Sequence, residues 1–65
     1  MDWKEWIGKR IFLRTKQNKV YSGVVKEIEN NKETNFLSLI DKFNDYVTIA
    51  ISEIIEIKEE NGDDN

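Results

Sequence analysis

The 65-residue chain contains no cysteine and no histidine. Their absence excludes disulfide bonds, zinc sites built from Cys and His, and nucleophilic catalysis that depends on either side chain. No apolar run approaches the roughly 20 residues of a membrane-spanning helix, and the N-terminus has no apolar segment of the signal-peptide kind. We therefore expect a cytoplasmic protein without a membrane partner, which is not an enzyme and binds neither a metal nor another cofactor.

Basic charge is also scarce overall, since the formal net charge is −3. A protein that coats nucleic acid nonspecifically needs an excess of Lys and Arg to neutralise phosphates, so the composition disfavours that class. Most basic residues nevertheless lie in the first half of the chain, whereas Glu and Asp accumulate towards the C-terminus. This asymmetry indicates either a local basic face or ordinary surface solvation.

The length predicts one small domain. A chain of this size buries only about 60% of its unfolded surface, so association with other molecules would add useful buried area. Residues 1–60 contain all the apolar patterning and are predicted to form the domain. Residues 61–65 contain no apolar side chain and are predicted to be a disordered acidic tail.

Residues 10–29 predict two strands joined by a tight turn. Residues 10–15 and 20–29 are rich in β-branched and aromatic side chains that fall on two alternating faces, which is typical of strands. Asn18 is the turn residue best suited to a left-handed conformation. A mid-strand Gly23 predicts a bend or a close backbone approach, which would curl a small sheet. Alternation along the second strand places these residues on one face: Tyr21, Gly23, Val25 and Glu27.

Three further strands are predicted at residues 36–41, 46–50 and 53–59, with a polar loop at 30–35 and a 3₁₀ turn at Ile51-Ser52. In the last strand, Ile55 and Ile57 are expected on one face and Ile54 on the other.

Residues 2–7 predict a short helix with Asp2 as its N-cap and Gly8 as its stop signal. Its apolar face carries Trp3 and Trp6, which either cover one end of the core or anchor a partner. A short helix followed by five short strands predicts an all-β fold, a small five-stranded SH3-like or OB-like barrel.

Four motifs follow one another along the chain: Ile11-x-Leu13, the run 19–23 with Tyr21 two residues before Gly23, Leu37-x-Leu39-x-Asp41, and the closing run 49–57. In order and spacing they resemble the Sm/LSm proteins, a family that includes the bacterial Sm-like RNA chaperone. The resemblance implies a strongly bent barrel that assembles with itself as a hexamer or heptamer, strand four of one copy pairing with strand five of the next. The implied interface residues are Tyr46, Val47, Thr48, Ile49, Ile54, Ile55 and Ile57.

The resemblance also implies single-stranded RNA bound around the pore of the ring. The implied contacts come from the segment between strands two and three and the turn between strands four and five: Glu29, Asn35, Phe36, Ala50, Ile51 and Ser52. Phe36 either stacks on a base or packs in the core. Four basic side chains either contact phosphates or are ordinary solvated surface residues: Arg10, Arg14, Lys16 and Lys19.

Two functions are therefore in competition. The first is a ring-forming protein that binds single-stranded RNA without catalysis. The second is an SH3-like protein-interaction or oligomerisation domain that does not bind RNA. The acidic net charge favours the second, as does Ala50-Ile51, which stands where most of the family has an Arg-Gly pair.

Overall fold

The computed structural model describes residues 2–60, which form a five-stranded antiparallel sheet with two short 3₁₀ helices. The all-β prediction and the order of the elements are confirmed, while the tail predicted at 61–65 lies outside the described residues. Within 2–60, no helix is both long and apolar enough to cross a membrane. The strands are β1 (Arg10–Thr15), β2 (Val20–Asn30), β3 (Asn35–Asp41), β4 (Tyr46–Ala50) and β5 (Ile54–Glu59), and the helices are Trp3–Trp6 and Ile51–Glu53.

The long strand β2 organises the sheet, whose strand order is β4-β3-β2-β1-β5. Residues 20–24 of β2 pair with β1, whereas residues 23–30 pair with β3. The two pairings overlap only at Gly23 and Val24. As a result β4 and β5 lie at the two edges of the sheet.

Gly23 is buried at this overlap. A Cβ atom added to Gly23 would lie 2.2 Å from the carbonyl oxygen of Ile40 in β3, which is far inside van der Waals contact. Glycine is needed here because the β3 backbone comes too close for any side chain. The predicted close backbone approach at Gly23 is therefore confirmed.

A β-bulge in β2 changes which of its side chains face the core. The register with β3 shifts between Val25 and Glu27, which leaves Lys26 as the extra residue. Beyond the shift Ile28 is buried, whereas Glu27 is exposed. The expectation that Glu27 shares the face of Val25 is wrong, because a bulge reverses the alternation of side chains after it.

A second register shift affects β5. It lies opposite Arg14 and Thr15 of β1 and leaves Ile55 without a cross-strand partner. Ile54 and Ile57 consequently pack against the core, whereas Ile55 is 58% exposed. The expected grouping of Ile55 with Ile57 is wrong for the same reason as in β2.

One hydrophobic core lies against one face of the sheet, which we call the core face; the opposite surface is the outer face. All five strands contribute to it, including both edge strands, so the sheet curves around the cluster. Trp3 and Trp6 pack against it as well, which supports the core-covering role of the two tryptophans. The buried members are Ile11, Leu13, Val25, Ile28, Leu37, Leu39 and Ile49.

Short-range signals set the turns. Asp2 Oδ1 accepts a hydrogen bond from the Lys4 backbone N–H at 3.1 Å, which confirms the N-cap. Gly8 has a φ of +86° and Asn18 a φ of +68°, so both adopt the left-handed conformation expected of a stop signal and a turn residue. The predicted helix is a single 3₁₀ turn.

Candidate functional site

Three of the residues predicted to contact RNA lie side by side across β2, β3 and β4. Glu29 is opposite Phe36, and Phe36 is opposite Ala50. Directly opposed residues in antiparallel strands point to the same face. Because Leu37, the next residue after Phe36, is buried in the core, we infer that this row of three lies on the outer face.

The Phe36 ring is half-buried and lies outside the core cluster of residues 2–60. Core packing, one of the two roles that the sequence leaves open for this ring, therefore does not describe it. Its partner in the row, Glu29, accepts a hydrogen bond from Asn31 Nδ2 at 3.2 Å. The row thus combines an aromatic surface, a carboxylate and the small side chain of Ala50.

The segment between β2 and β3 is a tight turn. The two strands pair as far as Asn30 and Asn35, which leaves only residues 31–34 to connect them. Asn31 Oδ1 accepts two backbone N–H groups of this turn, at 2.9 and 2.8 Å. The observed connection, 31–34, is therefore shorter than the predicted loop at 30–35. Asn35 is exposed at the start of β3, next to Phe36.

The turn between β4 and β5 is the second 3₁₀ helix. Ile51 packs against the core, whereas Ser52 is exposed. The helix is tied to the β1–β2 turn, because Lys16 N donates to the Glu53 carbonyl at 2.9 Å and Gln17 Nε2 donates to Glu53 Oε1 at 2.9 Å. Of the two residues predicted to contact RNA in this turn, Ser52 is the accessible one.

A cleft of about 290 Å³ separates the β1–β2 turn from the end of β4. Lys19, Tyr21, Ala50 and Glu53 are among the residues that line it. Lys19, a predicted phosphate contact, therefore opens onto the same cleft as Ala50 of the outer-face row. Lys16 is exposed on the turn beside it.

The two arginines predicted to contact phosphates have different surroundings. Arg14 forms an ion pair with Glu56 of β5, and its Nε atom is buried. Arg10 makes no salt bridge and no side-chain hydrogen bond within residues 2–60. Arg14 is thus engaged in joining β1 to β5, whereas the charge of Arg10 is available to a ligand.

The residues of the predicted interface divide into buried and exposed groups. Exposed on the two edge strands are Tyr46, Thr48 and Ile55. Thr48 Oγ1 lies 2.9 Å from Ser38 Oγ, and the Tyr46 hydroxyl donates to Glu27 at 3.1 Å. Val47, Ile49, Ile54 and Ile57 contribute to the core instead, so any partner strand would meet mainly the backbone and the exposed side chains.

A second surface, which the sequence pattern does not reveal, lies beside the turn between β3 and β4. A groove of about 580 Å³ there is lined in part by Arg10, Val20, Lys42 and Phe43. Phe43 is 73% exposed. The available signal was a large aromatic residue in a segment that otherwise contains typical turn formers.

Comparison of the chain with protein-family models, with curated proteins and with solved structures finds no match. Within residues 2–60, no group of three or more acidic side chains is arranged to hold a metal ion. The function is therefore argued from the geometry of the chain's own residues.

Proposed function

We propose that this chain is an Sm-like protein with a small SH3-like barrel that assembles into a ring and binds single-stranded RNA without catalysis. The observation that carries the proposal is the strand order, which leaves β4 and β5 as the two edges of one curved sheet. An edge strand exposes unpaired N–H and C=O groups. The β4 sequence Tyr-Val-Thr-Ile-Ala has no charged residue that would oppose pairing.

Pairing β4 of one copy with β5 of the next would satisfy both edges. Because the two edges differ, the contact is head-to-tail, and such a contact forms a ring when the rotation between copies closes. A domain of this size also gains stability from the additional buried surface. A hexamer or heptamer is the assembly that we expect.

RNA binding is supported by the outer-face row of Glu29, Phe36 and Ala50. Base stacking on an aromatic ring contributes about 1–3 kcal/mol per base and tolerates any base. Lys19, in the cleft beside Ala50, supplies a positive charge for a phosphate. Asn35 and Ser52 are exposed nearby in sequence and offer hydrogen bonds to base edges.

A second candidate function has its own support. The net charge of −3 and the apolar Ala50-Ile51 pair suit a domain that uses the same edges for protein association and binds no RNA. The first candidate predicts a ring of identical copies, whereas a protein-interaction domain can also be a monomer, so the oligomeric state tests the ring and oligonucleotide binding separates the two functions.

Native mass spectrometry of the full chain tests the assembly. We expect six or seven copies for the wild type. Ile55→Lys places a charge on the β5 edge at an exposed position and should shift the protein towards monomers. Ile7→Lys is the matched control, since Ile7 is also exposed, at 44%, but lies outside the edge strands. A monomeric wild type would refute the ring.

Fluorescence anisotropy with short labelled uridine-rich and adenine-rich oligonucleotides tests RNA binding. Phe36→Ala should weaken oligonucleotide binding by about 1–3 kcal/mol if the aromatic side chain of Phe36 stacks on a base. Phe12→Ala is the control. Phe12 of β1 is also half-buried, but its ring contacts Lys58 of β5 and is not part of the outer-face row. Self-assembly without any oligonucleotide binding would establish the second candidate function instead.

A further inference from the structure

Three cations surround an apolar strip on the outer face of β2 and β3. Arg10 is opposite Val24 and Val24 is opposite Ile40, so these three side chains form a row on one face. Lys26, the extra residue of the β2 bulge, and Lys42, in the β3–β4 turn, lie on either side. All five residues line a groove of about 400 Å³, which we call the cation groove.

Within residues 2–60, no carboxylate forms a salt bridge with a cation of the cation groove. Both salt bridges within residues 2–60 involve other cations. The one acidic residue that lines the groove, Asp41, uses Oδ1 to accept two backbone N–H groups of the following turn, at 2.9 Å each. In a chain whose net charge is −3, three unneutralised cations around one groove form a local site for an anion.

The cation groove opens into the 580 Å³ groove beside the β3–β4 turn, because Arg10, Asp41 and Lys42 line both. Glu60 also lines this second groove, where its backbone N–H donates to the Arg10 carbonyl at 2.8 Å and its carboxylate accepts a hydrogen bond from Ser22 Oγ at 2.6 Å. The exposed Phe43 ring lines this second part, with Lys42 Nζ 5.5 Å from its centre. An exposed aromatic ring beside cations and an apolar floor suits a ligand that combines anionic groups with planar apolar ones.

We infer that the cation groove binds the sugar–phosphate backbone of single-stranded RNA, with Phe43 stacking on a base. The inference rests on the proposed function and adds a second contact surface to it. Phe36 and Ile40 lie on the same face of β3, and four residues of strand span about 13 Å. One RNA strand that runs along β3 therefore contacts both the outer-face row and the cation groove.

The experiment measures how oligonucleotide binding to the full chain depends on salt concentration. For single strands, each phosphate contact contributes about 0.7 to the slope of log K against log salt. Arg10→Gln, Lys26→Gln and Lys42→Gln should each lower that slope by about 0.7, and the triple variant by about 2. Phe43→Ala should weaken binding without changing the slope, because it removes stacking and no charge.

Lys9→Gln and Lys58→Gln are the matched controls. Both remove one positive charge, but neither Lys9 nor Lys58 lines the cation groove. Their slopes should equal that of the wild type. Equal slopes for groove variants and controls, with RNA still bound, would overturn the inference and leave the proposed function standing.

Two further outcomes would overturn both this inference and the proposal that the protein binds RNA. If the wild type binds no oligonucleotide, RNA is not its ligand at either surface. If polyglutamate binds instead, and the groove variants abolish that binding, the cation groove is a site for an acidic peptide.

Discussion

The outer face of the sheet carries its charges in two different ways. Across β1 and β5, Arg14 pairs with Glu56, and Lys58 lies over an aromatic ring at 5.3 Å from its centre. Across β2 and β3, Arg10, Lys26 and Lys42 of the cation groove form no salt bridge within residues 2–60, although Lys42 lies 5.5 Å from the centre of the exposed Phe43 ring. Arginine and lysine therefore differ in their contacts between these two neighbouring parts of one sheet.

The difference follows from strand pairing. The register of β1 with β5 places Arg14 directly opposite Glu56, so opposite charges meet and contribute modestly to stability. The register of β2 with β3 instead places Val24 opposite Ile40, so within residues 2–60 this row offers no carboxylate across the two strands to Arg10, which is opposite Val24. Charge paired within the sheet supports the fold, whereas charge left without a partner is available to a ligand.

The largest effect is expected at Gly23, where β2 passes from one region to the other. Gly23→Ala would place a methyl group 2.2 Å from the Ile40 carbonyl oxygen and should lower the free energy of unfolding by about 3 kcal/mol. Urea denaturation at fixed protein concentration measures it.

Gly8→Ala is the comparison for Gly23→Ala. Gly8 has a φ of +86°, and among residues 2–60 no atom apart from those of its chain neighbours lies within 4 Å of an added Cβ. Only backbone strain of about 1–2 kcal/mol is expected. A larger loss at Gly8 than at Gly23 would show that close approach to β3 is not what demands the mid-strand glycine.

The next effect concerns Asp41, which holds the turn that carries Lys42 and Phe43. Asp41→Ala removes an acceptor of two backbone N–H groups and should cost about 1.5 kcal/mol. Asp41→Asn keeps an acceptor oxygen and removes the negative charge, so it should retain most of the stability and strengthen binding of an anionic ligand. Weaker oligonucleotide binding by Asp41→Asn would contradict a role for this groove in binding anions.

Substitutions of Arg14 and Arg10, both in β1, compare how the charges of the two regions contribute to stability. Arg14→Gln breaks the ion pair with Glu56 and should lower the free energy of unfolding by about 1 kcal/mol, less at high salt. Arg10→Gln should change it by less than about 0.5 kcal/mol, because no partner is lost. Thermal unfolding of both variants measures the contrast, and equal losses would abolish the distinction between the two regions.

The smallest effect is expected at Lys58. Its ammonium lies 5.3 Å from the centre of the Phe12 ring, and an exposed cation–π contact is worth about 0.5 kcal/mol. Lys58→Gln should lose that amount in the wild type and nothing in a Phe12→Leu background. A double-mutant cycle on the free energy of unfolding detects the coupling, and a coupling of zero would leave Lys58 an ordinary surface charge.

Much of the fold was predictable because its signals are local. Short runs rich in β-branched and aromatic residues, bounded by polar turn residues, predicted the bounds of β1 and β4 as the structure has them. Conformational preference predicted the left-handed Asn18, and side-chain capping predicted the N-cap Asp2. Mid-strand glycine predicted the close approach at Gly23.

The candidate site was predictable only in part. The predicted residues Glu29, Phe36 and Ala50 do lie in one row, but Arg14 is engaged by a strand far along the chain. Lys26 and Phe43 gave no local indication of neighbouring surfaces, because they line two grooves that share Arg10, Asp41 and Lys42 only through the pairing of β2 with β3 and the turn after β3.

The sequence by itself therefore determined the number, order and approximate ends of the strands, since these depend on neighbours within a few residues. The tertiary structure alone decided which isoleucines of β5 reach the core and which cations find a partner. The physical reason is that a one-residue bulge reverses the facing of every side chain after it. Whether two charges meet across a sheet is then set by register between residues that are far apart in the chain.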